Sequence, residues 1–210
     1  MSSVRGVALL VIASAIGLVG CTTLKIADIP VQRAERYRYG GQQGAVRVAV
    51  HPFGDPTESD RYFGTVLLDH NVLAVLVVAE NRSTSSSYVL AREQCRLRER
   101  KATDPVGAPG SPDIGLGVKA AGLILLSPAL LLAGIKMESN AHMIRHNFYR
   151  VELKRQTISP GQTAHGVVYF SVSDDQIKNP STALVLHVSL QDLKSDAVET
   201  VAVPFALKDR

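Results

Sequence analysis

Two cysteines and six histidines carry most of the side-chain chemistry in this 210-residue chain. Cys21 follows Gly20 at the end of an apolar run, Val7 to Val19, in which Ser14 is the only polar residue. Cys95 shares an alternating stretch with Val89, Ala91 and Leu97, which predicts a buried, inert thiol rather than a nucleophile. His142 and His146 are four apart, the spacing of two metal ligands on one helix face. A zincin helix needs Glu after the first His, and Met143 stands there with no third ligand nearby. The expected reading is a solvated helix face, so no metal ligand and no cofactor are assigned. His51, His70, His165 and His187 are isolated in sequence. Asp174-Asp175 follows a strand and reads as turn chemistry, without the further oxygens that calcium needs. No Gly-x-Ser-x-Gly elbow, phosphate-cradling glycine loop or dinucleotide fingerprint occurs, so no catalytic residue is assigned and no enzyme is expected.

Arg5 precedes the apolar run, which as a helix would span about 20 Å against a hydrocarbon core of roughly 30 Å. That length predicts a signal peptide over 1–20 rather than a membrane span. Leu18-Val19-Gly20-Cys21 resembles the lipobox of bacterial lipoproteins. The resemblance implies diacylglycerol on the Cys21 thiol, cleavage before Cys21 and further acylation of the freed amine. Two or three acyl chains hold a protein to a membrane almost permanently. Thr22 follows; in enteric-type bacteria an Asp there would retain the protein in the inner membrane. The resemblance therefore implies the outer membrane, with the domain facing the periplasm.

Composition sets the outer limits. Trp is absent, aromatics make up 5% of the chain, and the apolar weight is Val, Leu and Ala. The formal charge of +4 includes Arg5, which would leave with the leader. This excess suits a position near anionic lipid. No dense Lys/Arg stripe with interleaved aromatics is present, so no nucleic-acid partner is expected.

Residues 21–44 read as a polar tether, rich in Gly, and 45–210 as the folded domain. Val46, Val48 and Val50 alternate with Ala45, Arg47 and Ala49, a half-buried strand ended by His51-Pro52 and a Gly54-Asp55-Pro56 turn. Val72 to Ala79 is continuously apolar, as a strand covered on both faces is. Asn81 to Ser87 is turn chemistry, and Tyr88 to Leu97 alternates again. Ser159-Pro160-Gly161-Gln162 predicts a type II turn. Val168, Phe170 and Val172 then share a face, as do Leu184, Leu186, Val188 and Leu190 opposite Val185, His187, Ser189 and Gln191. Thr200 to Phe205 is the last strand, and Pro204 suits an edge. The pattern predicts a mainly β protein, an antiparallel β-sandwich. The Asn turn after a buried strand, and the Pro-Gly turn leading into Gly166-Val167-Val168-Tyr169-Phe170, resemble immunoglobulin-like modules of uncharacterised envelope lipoproteins. The cysteine pair and core Trp of antibody domains are missing, so no antibody-type function is implied.

A helical insert is expected over about 112–153. Its apolar part, Leu116 to Ile135, carries one charge, Lys119. Ser111-Pro112 and Ser127-Pro128 predict two short helices, about Pro112 to Leu126 and Pro128 onward. Three fates stay open for this segment: core beneath the sandwich, shallow insertion into the membrane, or cover by an envelope protein partner. Leu123, Leu125, Leu130 and Leu131 are the candidate membrane or partner contacts. Glu138 to Leu153 reads as an amphipathic helix, with Ala141, Ile144, Phe148 and Val151 inward and Arg145, Asn147 and Arg150 away. Together these features predict a non-enzymatic, lipid-anchored binding or scaffolding module of the envelope. The alternative is a membrane-inserting component of an envelope assembly, acting through 116–135.

Overall fold

Alternating and β-branched residues dominate the chain from Tyr39 onward, and the computed structural model arranges them in two antiparallel sheets. It describes residues 26–99, 125–126, 141–178 and 183–207. The first sheet holds, in spatial order, β1 (Tyr39–Gln43), β2 (Val46–Pro52), β3 (Val72–Asn81), β8 (Thr163–Ser171) and β6 (Leu125–Leu126). The second holds β10 (Val198–Phe205), β9 (Leu184–Asp192), β4 (Tyr88–Leu90) and β7 (Gln156–Ile158); β5 (Cys95–Glu99) follows β4 along the same side of β9. Two sheets packed face to face make the expected β-sandwich.

The core lies between them. Val46, Val48 and Val50 of β2, Leu73, Val75 and Val77 of β3, and Val168 and Phe170 of β8 meet Leu184, Leu186, Val188 and Leu190 of β9 and Val201, Val203 and Phe205 of β10. The four β9 leucine and valine side chains are wholly buried, and the alternate residues on β9 are half-buried, as the period of two requires. In β3 the other alternate set, Val72, Ala74, Leu76 and Val78, is buried as well. It faces a second layer built from three helical pieces and the N-terminal segment. That layer brings together Phe53, Phe63, Phe148 and Tyr169, with Phe53 and Phe63 ring centroids 4.9 Å apart and Phe148 and Tyr169 5.7 Å apart.

Several expectations are corrected. Gly54-Asp55-Pro56 is not only a turn: it opens helix α1 (Pro56–Phe63), with Asp55 Oδ1 accepting the Glu58 N–H at 3.0 Å and Pro56 in the first turn, where its missing N–H costs nothing. The expected tether over 21–44 does not describe 26–44. Ala34 is buried, the Ala27 N–H donates to Arg61 O at 3.0 Å, and β1 pairs along β2 as an edge strand. Tyr88 to Leu97 is not one alternating strand. A 3-10 turn at Arg92–Gln94 shifts the phase, so Cys95 and Leu97 share the core with Tyr88 and Leu90 rather than with Val89 and Ala91. Leu125 and Leu126, expected at the end of an apolar helix, form the two-residue strand β6, paired with Phe170 and Tyr169. Among the described residues no helix is long and apolar enough to cross a membrane.

The amphipathic helix is present as α2 (Ala141–Val151), with Ile144 and Phe148 buried. Asn147 does not point away; its buried Nδ2 donates to Tyr62 O at 2.7 Å and ties α2 to α1. Asp174-Asp175 opens a short helix, α3 (Asp174–Lys178), instead of a turn. Ser173 and Gln176 exchange side-chain to backbone hydrogen bonds across it, the reciprocal box that Ser-x-x-Gln permits.

The turns behave as their residue types require. Gly161 has φ 72°, the left-handed value needed at the third position of the Pro160 turn, and the Gln162 N–H closes it on Ser159 O at 3.0 Å. Gly166 sits where a Cβ would lie 2.4 Å from Leu153 Cα, so the chain leaving α2 presses directly on β8.

Candidate functional site

A cleft of about 530 Å³ opens where β2 runs into α1. β2 ends at His51-Pro52 as expected, its last registered pair with β3 being Pro52 opposite Val75. The strand thereby delivers His51 to the rim, and the Asp55 cap turns α1 so that Glu58 faces back toward it. His51 Nε2 lies 2.9 Å from Glu58 Oε1. The imidazole is held edge-on against Phe53, with centroids 5.0 Å apart and an interplanar angle of 86°. Arg38 and Tyr39 of the β1 entry form another wall, the guanidinium 5.4 Å from the Tyr39 ring centroid, and Ala206 and Leu207 close the side at the end of β10.

This arrangement joins an imidazole, a carboxylate, a guanidinium and a phenol ring around an open, shallow space. It is suited to hydrogen-bond and charge recognition of a polar ligand. The described lining holds no Ser, Thr, Cys or Lys; its hydroxyl is the Tyr39 phenol and its carboxylates are Asp55 and Glu58. Asp55 is already engaged as the helix cap.

A smaller cleft, about 280 Å³, runs between the N-terminal segment and α2. Its charges are internally paired: Arg150 with Asp28, and Glu152 with Arg92 from the start of the 3-10 turn.

The residues singled out from sequence fall in different places. Cys21, Leu123, Leu130 and Leu131 lie outside the described residues, and Leu125 contributes its backbone to β6. His146 is exposed on α2, and among the described residues no group of three metal-ligating side chains assembles. Cys95 is wholly buried and its thiol is pushed up to about 12 by burial. That keeps it protonated and unreactive at neutral pH. His187 is half-buried on the outer side of β9.

The His51–Glu58 pair was not visible in the sequence. Its members are seven apart and belong to different element types, so no single period places them together. The available signal was Asp55-Pro56-x-Glu58, a capped helix start one turn long, which fixes the distance from His51 once α1 is recognised.

Two buried polar atoms lack a hydrogen-bond partner among the described residues, Tyr169 Oη and Glu199 Oε2. Burial raises the Tyr169 hydroxyl well above its ordinary range. Glu199 receives the Tyr88 hydroxyl at 2.9 Å, and burial together with that carboxylate pushes Tyr88 up to about 12. Comparison with known proteins finds no family model, no curated relative and no solved structure that matches this chain.

Proposed function

We propose that this chain is a lipid-anchored envelope lipoprotein, acylated at Cys21, whose domain serves as a non-enzymatic binding or scaffolding module. The observation that carries the proposal is the order Leu18-Val19-Gly20-Cys21 behind the apolar run Val7 to Val19. A domain that starts packing at Ile26, only a few residues after the cysteine, supports it, because such a domain stays beside the membrane that holds its lipid. The His51–Glu58 cleft supports the binding role: it is open and offers an imidazole, a carboxylate and a guanidinium for polar recognition.

The immunoglobulin-like character of the sandwich belongs to the same proposal. The two stretches that carry this resemblance pack on each other. Asn81 Nδ2 donates to Ile158 O at 3.0 Å, and the Gly161 N–H donates to Asn81 O at 2.9 Å, so the Asn turn and the Pro-Gly turn form one unit. The alternative role, membrane insertion through 116–135, is weakened at one point: Leu125 and Leu126 commit their backbone to the sheet beside β8.

Labelling with radioactive palmitate tests the anchor. The parent chain takes up label and shortens by its leader; Cys21→Ser loses the label and remains unprocessed. A Cys21→Ser chain that still incorporates palmitate and matures to the parent size sinks the proposal.

A further inference from the structure

We infer that the outward face of α2, with the N-terminal segment beside it, lies against an anionic lipid surface. This inference rests on the acylation of Cys21 proposed above.

Reach is the first consideration. Ile26 is five residues beyond Cys21, and five residues at full extension cover about 18 Å. Ile26, Ala27 and Ile29 pack on the aromatic side of the first sheet, and the next residues run alongside α2. The Ala27 N–H is bonded to the end of α1, and Asp28 is ion-paired with Arg150 in the last turn of α2. The lipid therefore holds the helical side of the first sheet, rather than the second sheet, next to the headgroups.

The second consideration is what that side presents. Ala141–Val151 contains no acidic residue. Ile144, Asn147 and Phe148 are buried beneath the helix, while Met143, Arg145, His146, Tyr149 and Arg150 are exposed. Arg145 has no ion-pair partner among the described residues. Five large apolar side chains are exposed among the described residues; two of them, Met143 and Tyr149, lie on α2 and a third, Val31, on the N-terminal segment beside its last turn. Val31 and Arg150 border the same small cleft. Cationic side chains interleaved with a tyrosine and aliphatic tips, on a short helix lying flat, make the composition that settles at a headgroup interface. Within a Debye length of about 8 Å from an anionic surface, Arg145 is attracted directly, whereas the charge of Arg150 is already balanced by Asp28.

The chain has no Trp, so a single introduced indole reports its own surroundings. The full-length protein carrying Tyr149→Trp is produced with its leader, checked for palmitate, and reconstituted into phosphatidylethanolamine vesicles doped with phosphatidylglycerol. A second form carries Leu193→Trp, at an exposed position after β9 on the other sheet. We expect blue-shifted emission and quenching by headgroup-proximal brominated lipid at position 149, and neither at position 193. Adding Arg145→Glu to the Tyr149→Trp form reduces the quenching while palmitate incorporation is unchanged. Equal quenching at both positions, or none at 149 in a palmitate-labelled protein, overturns the assignment of this face and leaves the lipoprotein reading intact. A protein that takes up no palmitate overturns both.

Discussion

The first sheet is buried on both sides, and its two sides are built from different materials. Toward the second sheet it shows Val46, Val48, Val50, Leu73, Val75 and Val77, an aliphatic surface whose members recur every second residue. Toward the helices it shows small and aliphatic residues that support Phe53, Phe63, Phe148 and Tyr169, drawn from a strand end, two helices and β8. The first surface is a product of strand period alone. The second is assembled from side chains distant in sequence, and it exists only once α1, α2 and the N-terminal segment have docked. A strand covered on one side by period and on the other by assembly teaches where sequence patterning stops carrying structural information.

Four measurements break or sharpen that contrast. Phe148→Ala removes a wholly buried ring that touches both Phe63 and Tyr169, and a cost of about 3–5 kcal/mol is expected in denaturant unfolding. A cost below about 1 kcal/mol would mean that the aromatic layer is a loose cover rather than a second core. Leu186→Ala, in the aliphatic core, should cost about 2–5 kcal/mol. Its neighbour His187→Ala, half-buried on the opposite side of β9, should cost about 1 kcal/mol or less; equal costs would reject the strand phase. Between these, Asn147→Ala strands the Tyr62 carbonyl and should cost about 1–3 kcal/mol.

The smallest effect at neutral pH is an alkaline one. Cys95 in the aliphatic core and Tyr169 in the aromatic layer are both held neutral, their folded values lying above the ordinary 9.0 and 10.0. A raised value favours the protonated form in the folded state. The stabilisation is therefore complete below pH 9 and is lost as pH rises toward 12 for the thiol, with the tyrosines adding above pH 10. Denaturant midpoints measured across this window should fall from about pH 9, and Cys95→Ala should delay the fall to the tyrosine range. A midpoint in the parent chain that holds steady to pH 11 would contradict the burial of both groups.

Much of the sandwich was legible because burial repeats every second residue. Leu184, Leu186, Val188 and Leu190 are the clearest case, and the uninterrupted run in β3 correctly announced cover on both faces. Reading failed where one or two residues reset the pattern. The turn at Arg92–Gln94 moved Cys95 onto a different set of neighbours, and a Ser-x-x-Gln box made a helix of Asp174-Asp175. Asn147 was assigned outward because amides usually are; its partner is a backbone carbonyl of another helix, which no local pattern encodes. The cleft was the least legible part, since its walls come from β1, β2, α1 and the end of β10.

The pairing of β3 with β8 also imposes an order in time. Val75 lies opposite Val168, which belongs to the far half of the chain, so one edge of the most apolar strand in the described structure has no partner until nearly the whole polypeptide has been made. β2 can zip onto the other edge early, through a shorter connection. In the interval the molecule carries a ten-residue ribbon, apolar through its first eight residues and with an unmated side, the kind of edge that recruits copies of itself. Asp69 before it, and Glu80 and Arg82 at its end, put charge at both margins, where stacking in register is most easily discouraged. Closure through such distant contacts is slow by topology, and these flanking charges guard the open edge until β8 arrives.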